Sequence, residues 1–161
     1  FLEKITEQRP GCLVLDIRMP GLGGLELQEE LIKRGNTLPI IFITGHGDVP
    51  MAVEAMQIGA VDFIHKPFRD QELLDRIREA LATDEERREE QQQHAEVVER
   101  LHRLTNRERE VFDLVVTGKP NKVIAYELGV SQRTVEIHRA RVMEKMQARS
   151  LADLVKMHMT A

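Results

Sequence analysis

Cys12-Leu13-Val14-Leu15-Asp16, followed by Ile17-Arg18-Met19-Pro20-Gly21, is the stretch on which the fold turns. A short, almost wholly apolar run reads as a strand buried on both faces of a parallel sheet, and here it ends in a carboxylate and a Pro-Gly turn. That sets Asp16 at a strand's C-terminal edge. In open α/β sheets the ligand crevice lies outside the carboxyl ends of the strands, so an acid there meets solvent and ligand. An Asp in this position equally starts a turn or caps a helix, and the rest of the chain has to decide.

Working outward, Gly21, Gly23 and Gly24 form a flexible loop. Leu25, Leu27 and Leu31-Ile32 then give a helix its apolar face, stopped by Gly35-Asn36. Pro39-Ile40-Ile41-Phe42-Ile43 is a second buried strand ending in Thr44-Gly45-His46-Gly47. A helix from Val49 to Ile58 closes at Gly59, and Ala60 to His65 forms a third strand ending in Lys66-Pro67. Upstream, Phe1-Leu2-Glu3-Lys4-Ile5 reads as the last turns of a helix ended by Pro10-Gly11. Strands and helices alternating at this spacing require right-handed crossovers and a parallel sheet. The C-terminal ends of all three strands then share one rim, which gathers Asp16, Thr44 and Lys66. A carboxylate nucleophile flanked by a hydroxyl and an ammonium suits phosphoryl transfer. Pro67 is placed for a cis bond that would turn Lys66 inward.

Charge divides the chain. Residues 105–161 carry ten basic and seven acidic side chains, a net +3, whereas 1–82 carry nine and thirteen and 83–104 four and seven. A basic tail on an acidic body points to a polyanion met by the last third alone. No apolar run approaches the roughly 20 residues of a membrane span, so no membrane partner is expected. The single cysteine, Cys12, reads as a small buried hydrophobe in a reducing compartment, and a cytoplasmic location follows.

Asp70 to Leu81 reads as a helix with Leu73, Leu74, Ile77 and Leu81 inward, and Thr83 to His94, without an apolar side chain, has a composition that favours a solvated helix and equally permits disorder. Val97, Val98, Leu101 and Leu104 restore an apolar stripe. Thr105 with Glu108 makes a capping box for a helix that buries Val111, Phe112, Leu114 and Val115. Asn121 to Leu128 is a short helix ended by Gly129. Ser131 caps a longer one that turns Val135, Ile137, Val142 and Met146 inward, with Tyr126 packed between the two. Helix, Gly-centred turn and Ser-capped helix is the helix-turn-helix pattern, whose second helix enters the major groove. Ser150 caps a last helix, Leu151 to Met159.

Leu13 to Gly21, Phe42-Ile43-Thr44-Gly45-His46-Gly47-Asp48 and Asp62-Phe63-Ile64-His65-Lys66-Pro67-Phe68 together resemble the receiver domain of two-component response regulators, in its FixJ-like branch. The resemblance implies that Asp16 accepts a phosphoryl group from a sensor histidine kinase. It further implies that Thr44 closes on the phosphate, Lys66 pairs with it, and Phe63 swings inward when Thr44 moves. Mg2+ would be held by Asp16, by the backbone carbonyl of Arg18 and by an acid at the end of the family's first strand. That strand and its acid have no counterpart here. We therefore expect an N-terminally truncated piece in which magnesium is held weakly or not at all.

Leu104 to Val111, Asn121 to Ser131 and Arg133 to Met146 resemble the LuxR-type effector domain. The resemblance implies Lys122, Ser131, Thr134, His138, Arg139 and Lys145 as DNA contacts, mostly to phosphate, with Arg133 and Glu136 on base edges. The expected architecture is α/β then all-α. A partial CheY-like doubly wound sheet, lacking its first strands (1–82), is joined by a helical linker (83–103) to a LuxR-type four-helix domain (104–161). The expected function is a DNA-binding response regulator of the FixJ/NarL family, not an enzyme, that pairs into a homodimer on promoter DNA, with RNA polymerase a further candidate partner. Its alternative is a degenerate receiver whose tail binds DNA independently of phosphorylation. A phosphorylated protein adaptor is the rival from another class, and steep salt dependence of duplex binding separates it. A haloacid-type phosphatase fails because Arg18 stands where that chemistry needs a second acid.

Overall fold

The computed structural model describes Leu2, Ile5 and residues 9–161, so Phe1, Glu3 and Lys4 of the helix end expected over 1–5 lie outside the described residues. The three apolar runs form β1 (Leu13–Asp16), β2 (Ile40–Thr44) and β3 (Asp62–His65), all parallel, in the order β1-β2-β3. Between them lie α1 (Gly24–Lys33) and α2 (Val49–Gln57). Asp16 stands opposite Ile43, and Thr44 opposite His65. The Lys66-Pro67 bond is cis.

Alternation along β2 explains the two layers of helices. Ile40 and Phe42 pack with Leu27, Leu31, Ala52 and Ala55 of α1 and α2, whereas Ile41 packs with Ile64 and, on the opposite face, with Ala80, Leu73 and Ile77. Fully burying side chains such as Ile41 and Phe42 contributes about 1.5–3 kcal/mol each. β1 departs from the expectation of burial on both faces. Among the described residues it pairs only with β2, so Leu13 and Val14 are half-buried and only Leu15 is buried.

The third helix runs far beyond the expected Leu81, as α3 (Asp70–His102). Its inward stripe also differs: Leu73, Ile77, Ala80 and Asp84 recur at helical spacing, while Leu74 and Leu81 face solvent. Asp84, only 2% exposed, sits in a stretch that composition marks as solvated. Its carboxylate accepts from Arg88 at 2.8 Å, from Arg87, and from the Gly11 backbone N–H at 3.4 Å. Burial pushes this carboxyl up, but the two guanidinium hydrogen bonds and Gly11 outweigh it, and the net direction is below the ordinary range. Burial, and secondly the nearby Asp84 charge, push the Cys12 thiol up.

Gly24 is buried at the first turn of α1, not part of a flexible loop. A Cβ there would stand 2.7 Å from the Asp16 carbonyl oxygen and 2.8 Å from the Phe42 ring. Backbone and a packed aromatic leave no room, so Gly24→Ala is expected to destabilise the N-terminal unit by about 2 kcal/mol, measured by denaturant unfolding. Gln28 and Leu31 share this inward face, and Ile32, expected inward, is exposed.

The chain divides into two units, Phe1–Glu89 and Glu90–Ala161. The second contains the end of α3 with α4 (Asn106–Val115), α5 (Asn121–Leu128), α6 (Gln132–Met146) and α7 (Leu151–Thr160). Its core joins Val97 and Leu101 of α3 to Val111, Phe112, Ile124, Val135, Val142, Met146 and Leu154. The last turns of the segment read as linker therefore belong to this core. Gly129 ends α5 with φ +66°, a left-handed cap that glycine adopts without strain. Ile137 and Tyr126 depart from expectation. Ile137 lies two residues from buried Val135, across the helix, and is exposed, and Tyr126 is 89% exposed rather than packed.

Candidate functional site

Parallel pairing brings the strand ends to one rim, and two of the three expected groups meet there. Lys66 Nζ donates to Asp16 Oδ2 at 2.6 Å, and the Arg18 backbone N–H donates to Oδ1 at 3.0 Å. The Lys66 hydrogen bond is the main cause holding the Asp16 carboxyl below its ordinary range. Burial opposes it, Arg18 assists and Asp48 opposes. Asp16 is thus a carboxylate at neutral pH, exposed enough at 37% of its side chain to be approached.

Thr44 lies at the same rim, but its hydroxyl is turned to β3. Oγ1 is 3.3 Å from the Ile64 carbonyl oxygen and 3.3 Å from His65 Nδ1, and the residue is buried. Phe63 stands outward on β3 at 39% exposure. The His46 and His65 rings lie 5.4 Å apart between centroids, tilted by 48°.

Asp48, which strand-end spacing does not single out, organises the loop beside this rim. It is buried, accepts from the Gly45 N–H at 2.7 Å through Oδ2 and from Arg18 Nε at 2.5 Å through Oδ1. The Gly45 hydrogen bond chiefly lowers its carboxyl, burial opposes, and Arg18 assists. The legible signal was its place just before α2 in a Gly-His-Gly-Asp run.

Magnesium does not fit the residues described. Among them no three His, Cys, Asp or Glu side chains gather to hold an ion. Asp16 offers one carboxylate already paired with Lys66, Asp48 has both oxygens engaged, and the Arg18 carbonyl brings no charge.

In the second unit Ser131 caps α6 by accepting from the Thr134 N–H at 3.1 Å, and the two hydroxyls lie 2.9 Å apart. Lys122, Arg133 and Glu136 are exposed. Arg139 is half-buried and donates to Asn121 Oδ1 at 3.0 Å, tying α6 to the start of α5. His138 is half-buried, and its Nδ1 lacks a protein partner. Lys145 is turned inward, donating to both oxygens of buried Glu108 at 2.9 and 2.8 Å and to the Arg103 carbonyl at 3.3 Å. Of the residues expected to reach DNA, Lys122, Ser131, Arg133 and Glu136 are exposed, Thr134, His138 and Arg139 are partly covered, and Lys145 is engaged internally.

A carboxylate and an ammonium thus meet at the C-terminal edge of a parallel sheet, and a capped helix-turn-helix follows in the chain. Residues 1–78 match the family described as response regulator receiver domain, and residues 102–158 the bacterial regulatory proteins of the luxR family. Nodulation protein W of Bradyrhizobium diazoefficiens is 55% identical over 99% of this chain and 70% of its own length. Transcriptional regulatory protein FixJ of Azorhizobium caulinodans is 50% identical over 100% and 76%. The structure of response regulator StyR is similar at 45% identity with a TM-score of 0.88, covering 100% of this chain and 81% of that one. The chain belongs to the FixJ/NarL type of two-component response regulator, with a LuxR-type DNA-binding domain.

Proposed function

We propose that Asp16 accepts a phosphoryl group from a sensor histidine kinase and that the helix-turn-helix carries the result to promoter DNA. The observation that supports this reading best is the 2.6 Å pair between Lys66 Nζ and Asp16 Oδ2, which keeps a nucleophilic carboxylate beside a cation able to neutralise the incoming group. One Asp16 oxygen attacks phosphorus, the P–N bond of the phosphohistidine breaks, and the imidazole keeps the electron pair and takes a proton. Lys66 then pairs with the transferred oxygens, Thr44 turns from β3 to meet them, and Phe63 follows.

Two half-sites are needed for useful affinity, because one module with a net +3 makes few phosphate contacts; hence a homodimer on DNA, with RNA polymerase a candidate neighbour. No helix among the described residues is long and apolar enough to cross a membrane, and on this reading the protein works in the cytoplasm. The Thr44 hydroxyl, engaged on β3 by the Ile64 carbonyl and His65, favours a second reading, DNA binding independent of phosphorylation. Duplex binding by the full chain across a salt series, with and without a phosphoryl donor, tests both. A steep slope that steepens on phosphorylation supports the first, a steep slope unchanged by the donor the second, and a flat slope neither. Within that assay Arg133→Ala is expected to relax sequence preference at a cost of about 1–3 kcal/mol. Lys122→Ala should weaken all sequences alike and reduce the slope by about 1. Identical behaviour of the two variants would contradict their assigned roles.

A further inference from the structure

We infer that His65 is a positioning residue that holds the Thr44 hydroxyl on β3, so that it sets how readily Thr44 turns to a phosphoryl group on Asp16. The inference rests on the proposed role of Thr44. Its Oγ1 sits 3.3 Å from both the Ile64 carbonyl oxygen and His65 Nδ1. A hydroxyl carries one proton, and a carbonyl can only accept. With the Thr44 proton on Ile64, His65 presents Nδ1–H to the Thr44 oxygen; with it on His65, the ring nitrogen accepts. Either way the imidazole is a hydrogen-bond partner of this buried hydroxyl, the second one in the first arrangement and the sole one in the second.

Register makes the arrangement specific. Thr44 is directly opposite His65 on the neighbouring parallel strand, while Phe63 is opposite Phe42, two residues back. Phe63 and His65 therefore share one face of β3 by strand alternation, and it is the imidazole that engages the hydroxyl. The His46 ring, 5.4 Å from His65, lies on the loop that follows Thr44 and flanks the imidazole. For Thr44 to reach Asp16 it must give up both contacts, so the resting state is favoured by whatever these bonds are worth.

The test is a double-mutant cycle in the full chain, with radiolabelled acetyl phosphate as donor and the lifetime of the label as readout. Closure of Thr44 shields the phosphoryl group from water, so His65→Ala is expected to lengthen the lifetime about threefold, the scale of one modest hydrogen bond. His65→Asn, which keeps a polar atom near the Nδ1 position, should restore it. In a Thr44→Val background His65→Ala should change nothing, because the two act through one contact. An unchanged or shortened lifetime in His65→Ala, or the same effect in both backgrounds, overturns the proposal. A second measurement needs no phosphoryl group: the 15N resonance of His65 Nδ1 in the unmodified chain should move on Thr44→Val, and an unmoved resonance overturns the contact. Absence of label on every variant would count against Asp16 as acceptor, and the ring-nitrogen measurement alone would then decide for or against the hold.

Discussion

Asp16→Asn is expected to take up no phosphoryl label from a phosphorylated sensor kinase or a small-molecule donor, a loss of at least about a hundredfold against the parent chain. An amide keeps the size of the side chain but surrenders the anionic oxygen that attacks phosphorus. The change also removes the ion pair to Lys66, whose partners are 37% and 50% exposed in their side chains. Exposed pairs of this kind contribute less than about 1 kcal/mol, so the variant should unfold close to the parent and the lost label cannot be laid to a lost fold. The sign with pH follows from the depressed carboxyl of Asp16, chiefly the work of the Lys66 hydrogen bond. The carboxylate persists through the ordinary Asp titration range, and acceptor activity declines only below it. Lys66→Met removes that hydrogen bond, so the acid limb of the rate profile should move up toward the ordinary range. Label retained by Asp16→Asn, or an acid limb that stays put in Lys66→Met, would overturn the assignment.

The parallel sheet and the rim at Asp16 were legible because apolar runs of strand length, each closed by turn residues, leave few other arrangements. The helix-turn-helix was legible through its caps: Thr105 with Glu108, Gly129 and Ser131 mark boundaries by hydrogen-bonding chemistry that needs no tertiary information. What escaped was the direction of individual side chains. Leu74, Leu81 and Ile137 are apolar and sit outside, while Asp84 and Glu108 are acids and sit inside. Hydrophobicity marks the inward face of a helix only on average, and a charged side chain at the inward phase is readable only once its partners are known. Arg87 and Arg88, three and four residues on, were such a sign for Asp84, hidden in a run where Glu85 and Glu90 also have an arginine three residues away. Thr44 escaped for another reason. Its position at a strand end was predictable, but the choice between Asp16 and His65 as its neighbour depends on a rotamer, which no spacing encodes.

Glu108→Ala is expected to cost the C-terminal unit about 3 kcal/mol, followed by amide exchange across residues 106–146 or by helical circular dichroism. The side chain serves two structures at once. It closes the capping box with Thr105, whose hydroxyl accepts from the Glu108 N–H at 3.2 Å while the carboxylate accepts from the Thr105 N–H at 3.5 Å. It also receives Lys145, joining the start of α4 to the last turn of α6. At 2% exposure Glu108 exists as an anion only because these donors surround it. Truncation leaves the Thr105 N–H without its partner and the Lys145 ammonium half-covered, and since that ammonium is 35% exposed it recovers some water, which holds the loss at the low end for a broken buried pair. Burial pushes the Glu108 carboxyl up, yet the Lys145 and Thr105 hydrogen bonds prevail and the net direction is down. A depressed carboxyl contributes stability that is complete above the ordinary Glu range and lost as pH falls through the folded value. Stability of the parent unit should therefore fall on acidification from about pH 5 downward, and Glu108→Gln should flatten that limb while costing less than alanine. Lys145→Met should unfold more readily than the parent as well, since it strands the buried carboxylate. A Lys145→Met protein of parental stability with weakened DNA binding would mean that this ammonium leaves Glu108 to serve the phosphate backbone.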